Sequence, residues 1–106
     1  MAKFLIEATY TNTGMKGVAE KGGTARVEAI EKTLADVGGT LEGFYFAFGE
    51  TDAYVICDLP DTTTAAAVAM KVGASGAATT KTVVLLTAEE IDRAAGTQVA
   101  YTPPGG

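Results

Sequence analysis

FAFGETDAYVICDLPD, residues 46–61, decides the fold. Its first residues close a run from Thr40 to Phe48 in which Phe44, Phe46 and Phe48 share one side and Tyr45 and Ala47 the other. That alternation is the period of a half-buried strand. Ala53 to Leu59 repeats it, with Val55 and Cys57 opposing Tyr54 and Ile56. Between the two runs, Gly49 and Asp52 are turn formers, and Asp can also bond to nearby backbone amides. The stretch therefore reads as a β-hairpin. Pro60 ends its second strand, and Asp61 is placed to cap the helix that follows by accepting from that helix's free amides.

Working outward toward the N-terminus, Val27, Ile30, Leu34 and Val37 form one apolar stripe at helical spacing. This predicts a helix from Ala25 to about Val37, capped by Thr24 and stopped by Gly38-Gly39. Glu28 and Lys32 are spaced to pair across one turn of its wet side. Ahead of it, TNTGMKGVAEKGG carries four glycines and reads as a long loop with one short helical turn around Val18. It lacks the signature of a phosphate-binding loop, so a lid over the sheet edge is the expectation. Lys3 to Tyr10 alternates again, with Phe4, Ile6, Ala8 and Tyr10 on one side.

Toward the C-terminus, Ala65, Val68, Ala69 and Val72 make a stripe of small residues on a second helix, with Gly73 and Gly76 at its exit. Thr79 to Leu86 is β-branched and strand-like. Thr87 and Glu90 have capping-box spacing ahead of a short helix, and Gly96 stops it. Within the tail, residues 97–106, an edge strand is expected at Gln98 to Tyr101.

The order strand-helix-strand-strand-helix-strand is the split βαβ pattern of α+β, ferredoxin-like domains. It predicts a four-stranded antiparallel sheet, two helices on one face and a short extra C-terminal helix, all in one domain spanning 1–106. If the triple-Phe side looks toward the helices, Leu5, Tyr45, Ala47, Tyr54, Ile56, Val83 and Leu85 are left on an uncovered face. A monomer rarely exposes so large an apolar face. Two sheets stacked in a homodimer, a dimeric α/β barrel, or a higher homo-oligomer, is the economical expectation.

Composition narrows the chemistry. The chain of 106 residues has no histidine and one cysteine, which removes histidine acid–base chemistry, a Ser-His-Asp triad and an intrachain disulfide. Zinc sites need mainly Cys and His, and the scattered carboxylates Glu50, Asp52, Asp58 and Asp61 suggest no hard-cation site, so neither metal nor cofactor is expected. The net charge is −5 and the eight basic residues do not cluster, which argues against nucleic acid as a partner. No run approaches the ~20 apolar residues of a membrane span, no signal segment is legible, and a cytoplasmic location with Cys57 reduced is expected.

Several stretches together resemble the GYD-domain family of small bacterial proteins: YTNTG, Gly38-Gly39, FYFAFGETDAYVICDLPD and VGASGAATTKTVVLLTAEE. The resemblance covers nearly all of the first 90 residues. It implies a ferredoxin-like, dimeric α/β-barrel fold and a biochemical role that is essentially uncharacterised. The family's motif is Gly-x-Tyr-Asp at the central hairpin, or Gly-Tyr-Asp in its shortest form. Here it reads Gly49, Glu50, Thr51, Asp52, with threonine in place of the tyrosine.

Candidate site residues follow from chemistry. Asp52 is a candidate general base if it borders an aromatic pocket, and a turn residue if it does not. Tyr10, Tyr45 and Tyr54 offer phenolic donors for a ligand, or amphipathic surface for a dimer contact; strand parity puts Tyr10 on the side opposite the other two. Arg26 and Lys81 are cations near element ends that could hold an anionic group. Cys57, mid-strand on the Phe side, reads as a small buried hydrophobe. Two functions stay open: a homo-oligomeric domain that binds a small aromatic or anionic molecule, and a cofactor-independent enzyme acting on an aromatic or polyketide-like substrate.

Overall fold

The computed structural model describes residues 1–106. Its elements are β1 (Ala2–Tyr10), α1 (Asn12–Asp36), β2 (Thr40–Phe46), β3 (Ala53–Leu59), α2 (Thr62–Ala74), β4 (Ala78–Leu85) and α3 (Ala88–Ala95). The four strands form one antiparallel sheet in the order β2-β3-β1-β4. This is the ferredoxin-like α+β arrangement, with α1 and α2 packed on one face.

Parity sets which side chains go inward. Phe4 lies opposite Cys57 and Ile6 opposite Val55. These four, with Leu34 of α1, Leu59 and Ala65 of α2, form the buried cluster. Ile30, Leu41, Phe44 and Val37 pack against it, so the stripe points inward from Ile30 through Leu34 to Val37, as its spacing requires. α2 begins where expected: the Asp61 carboxylate accepts from the Thr64 amide and hydroxyl, both at 2.7 Å. Those bonds hold its pKa below the usual carboxylate value. α3 carries the full capping box between Thr87 and Glu90.

The largest departure from expectation lies between Thr11 and Gly23. The segment is helical, not a loop. Thr11, rather than Thr24, is the N-cap, accepting from the Gly14 amide, and Thr24 sits exposed inside α1. The glycines are compatible with a helix here for particular reasons. A Cβ on Gly14 would fall on the carbonyl oxygen of Ala77, so only glycine lets α1 pass the turn before β4. Gly22, at φ 84° and ψ 171°, breaks the helical path, so α1 is two helical segments joined by a kink.

Three smaller corrections follow. β2 stops at Phe46, because the connection of residues 47–52 turns away and is closed by the Ala47 amide donating to the Asp52 carbonyl at 2.8 Å. Phe48 is thereby left 97% exposed and not on the inner face, and Ala47 leaves the open face. Glu28 and Lys32 form no ion pair. The expected strand at Gln98 to Tyr101 does not form, and the sheet stays four-stranded.

Candidate functional site

The sheet has two very different faces, and the sequence-predicted residues divide between them. On the open face, Tyr45 and Tyr54 are direct cross-strand neighbours. Leu5 is flanked there by Ile56 and Val83. Lys3 donates to Glu42 at 2.8 Å and to Asp58 at 3.1 Å, which raises the lysine's pKa above its usual value and leaves that end of the face with its ionic groups paired. Lys81 lies opposite Glu7 on the same face, with no ion pair. The main clefts of the molecule lie on the other side, against the helices.

Tyr10 and Arg26 are brought together on the helix side. Tyr10 is the last residue of β1, and its ring faces the second segment of α1, where the Arg26 guanidinium carbon lies 5.9 Å from the ring centroid. This is cation–π distance. The Arg26 Nε is buried and has no hydrogen-bond partner, an uncommon state for a guanidinium. Both residues line an open cleft of about 360 Å³ along the first segment of α1, with Thr13, Gly17, Val18 and Lys21. Lys21 and Thr13 carry no signal of a site in the sequence, because both fall in the stretch that reads as a loop.

A second, smaller cleft of about 190 Å³ shares Tyr10 and Val18 with the first and is walled by Met15, Phe46, Phe48 and Asp52. It is almost wholly apolar apart from that one carboxylate. Asp52 Oδ2 accepts from the backbone amide of Tyr10 at 2.9 Å, and the Asp52 amide donates to the Ala8 carbonyl at 2.9 Å. The aspartate thus ties the hairpin connection to the end of β1, directly behind the ring that faces Arg26. A cationic cleft and an aromatic cleft therefore meet at Tyr10, on either side of one glycine-kinked helix.

A model of the GYD domain matches residues 4–95 of the chain. The chain belongs to the GYD-domain family. No curated protein and no solved structure matches it. In this GYD domain, Gly49, Glu50 and Thr51 lie on the connection that Asp52 anchors. Thr51 Oγ1 donates to Glu7 at 3.3 Å, and the Glu50 carbonyl accepts from the Thr9 hydroxyl at 2.8 Å. The motif region is stitched to β1 at three successive positions, so threonine at position 51 still serves the connection as a polar tether. No helix of the domain is long and apolar enough to cross a membrane.

Proposed function

We propose that this GYD domain is a homo-oligomeric small-molecule-binding domain, and that its ligand is a small aromatic anion held at the kink of α1. The observation that carries this reading is the buried, unpartnered Nε of Arg26 beside the Tyr10 ring. An Nε–H desolvated without a partner costs free energy that an anionic ligand would recover through charge-assisted hydrogen bonds to the guanidinium. Lys21 adds a second cation at the same cleft. The adjoining apolar cleft at Phe46 and Phe48 offers an aromatic body its surface. Dimerisation through the open sheet face accounts for the apolar side chains Leu5, Ile56 and Val83, and for Tyr45 and Tyr54.

The enzymatic alternative, a cofactor-independent barrel enzyme with Asp52 or a tyrosine handling protons, has less support. One Asp52 oxygen is committed to the Tyr10 backbone, which gives the carboxylate a positioning task. Titration of ¹⁵N-labelled protein with benzoate, and with benzamide as the uncharged control, tests the binding reading. Benzoate is expected to shift the amides of Tyr10, Gly14, Lys21 and Arg26 selectively. Equal response to benzamide, or no response at millimolar benzoate, overturns it.

A further inference from the structure

We infer that the first segment of α1, Asn12 to Lys21, is a strap that melts and re-forms between two fixed ends, and that the bound anion holds it closed; the coupling to the anion rests on the binding reading above. Within the segment only Gly14 and Val18 are half-buried, and every other residue is exposed. The buried cluster takes Leu34, with Ile30 and Val37 packed against it, all from the second segment. No side chain from Asn12 to Lys21 joins an ion pair. The segment therefore helps to build the site while drawing almost no support from the core.

Both of its ends are held. At the start, the Thr11 amide donates to the Ala77 carbonyl at 3.0 Å and the Thr11 hydroxyl to the Gly76 carbonyl at 2.8 Å. At the finish, Gly23 lies close against the Phe46 ring, 3.1 Å from where its Cβ would stand. Just before it, Gly22 leaves the helical path at φ 84° and ψ 171°, which separates the hydrogen-bonded turns of the first segment from those of the second. A piece held at both ends opens by losing its helix rather than by swinging out as a flap.

That helix is weak on its own. It is shorter than the roughly 12–15 residues below which an isolated helix is marginal in water. Gly14 and Gly17 each lower helix stability about fivefold relative to alanine. Segments with few buried apolar contacts open locally, at a free energy well below that of the whole fold. What this one lacks is a surface to rest on, and an occupant of the two clefts supplies it. Thr13, Gly17, Val18 and Lys21 wall the first cleft, and Met15 and Val18 wall the second. A ligand there touches the strap only while its helix is formed, so binding shifts the segment toward the closed form.

Hydrogen exchange of the full chain, followed by NMR, reads the strap directly. Without ligand, the amides of Lys16 to Lys21 should show protection at least about 100-fold below those of Ile30 to Leu34. Benzoate at about ten times its dissociation constant should slow the strap amides roughly tenfold. Ala19→Gly removes one exposed methyl that lines neither cleft. It should speed exchange of Lys16 to Lys21 by up to about fivefold and leave the amides of Phe4 and Val55 unchanged. Strap protection equal to that of the second segment, or an Ala19→Gly variant that speeds strap and sheet alike, means that the segment opens only with the whole fold, and overturns the strap. Strap amides that stay equally fast while benzoate shifts Tyr10 and Arg26 overturn the coupling and leave the binding reading standing. No benzoate shift at all overturns the binding reading and the coupling together, and exchange of the free protein still decides the strap.

Discussion

The Asp52 carboxylate holds the backbone amide of Tyr10 at 2.9 Å, and through it the position of the ring that faces Arg26. The aspartate is half-buried, so its removal leaves a strand-end amide without its charged acceptor. Asp52→Ala is expected to cost about 1–3 kcal/mol, seen as a fall in melting temperature of roughly 5–20 °C for a domain of this size. Asp52→Asn keeps an acceptor oxygen and should recover most of that loss. If Asp52 were instead a proton-transfer group, Asn would keep the melting temperature and still abolish turnover of a substrate.

Two glycines of α1 should fail for opposite reasons. At Gly14 the obstacle is steric, because a Cβ would meet the Ala77 carbonyl. Gly14→Ala forces α1 away from the turn before β4 and should cost about 2 kcal/mol or more. At Gly22 a Cβ meets nothing, but φ is +84°, in a region essentially reserved for glycine, and Gly22→Ala should cost about 1–3 kcal/mol in backbone strain alone. Urea denaturation measures both. The two differ in binding: Gly22→Ala straightens the kink that shapes the cleft, so its benzoate affinity should fall further than Gly14→Ala at matched stability.

What was legible in the sequence is what local chemistry determines. The hairpin strands, the Asp61 cap, the α3 capping box and the inward stripe of α1 each follow from a period or a cap within a few residues. The first segment of α1 was not legible. Its four glycines lower helix propensity, and the contacts that override it, Gly14 against Ala77 and the Thr11 hydroxyl on the Gly76 carbonyl at 2.8 Å, join positions more than sixty residues apart. The site suffered the same way. Parity alone separated Tyr10 from Tyr45 and Tyr54, but the meeting of Tyr10 with Arg26 and Lys21 depends on how a kinked helix crosses the strand end.

Arg26 should dominate ligand affinity. A charge-assisted hydrogen bond is worth about 1.5–3 kcal/mol, so Arg26→Ala is expected to weaken benzoate binding roughly 10- to 100-fold. Arg26→Lys keeps the charge but loses the planar fork and the stacking on Tyr10, and should fall between the two. Lys21→Ala, at the outer wall of the cleft, should change affinity only a few-fold and mainly at low salt, where exposed charges are least screened. Calorimetric titration at 20 and 200 mM salt separates these effects. An Arg26→Ala variant that binds benzoate as tightly as the wild type would place the anion elsewhere.

Cys57 gives the fold a pH signature. It is fully buried opposite Phe4, and burial, with the Asp58 charge adding to it, pushes its thiol pKa up. The native thiol should therefore resist a thiol-reactive disulfide reagent at pH 8 and react as one equivalent in 6 M guanidinium. Its linkage to stability has a fixed sign. Because the folded pKa is raised, the contribution is complete below the unfolded thiol pKa, near 8.5. It is then lost as pH rises through the interval up to the folded value, where only the unfolded chain releases the proton. Urea midpoints should fall between pH 8.5 and 10 for the wild type and fall less for Cys57→Ala, which starts lower because of the cavity it leaves. The Lys3 cluster is common to both proteins, so the difference in slope belongs to the thiol. Equal slopes would mean that the cysteine is ionisable in the native core, and that the β1–β3 packing around Phe4 opens far more readily than its complete burial requires.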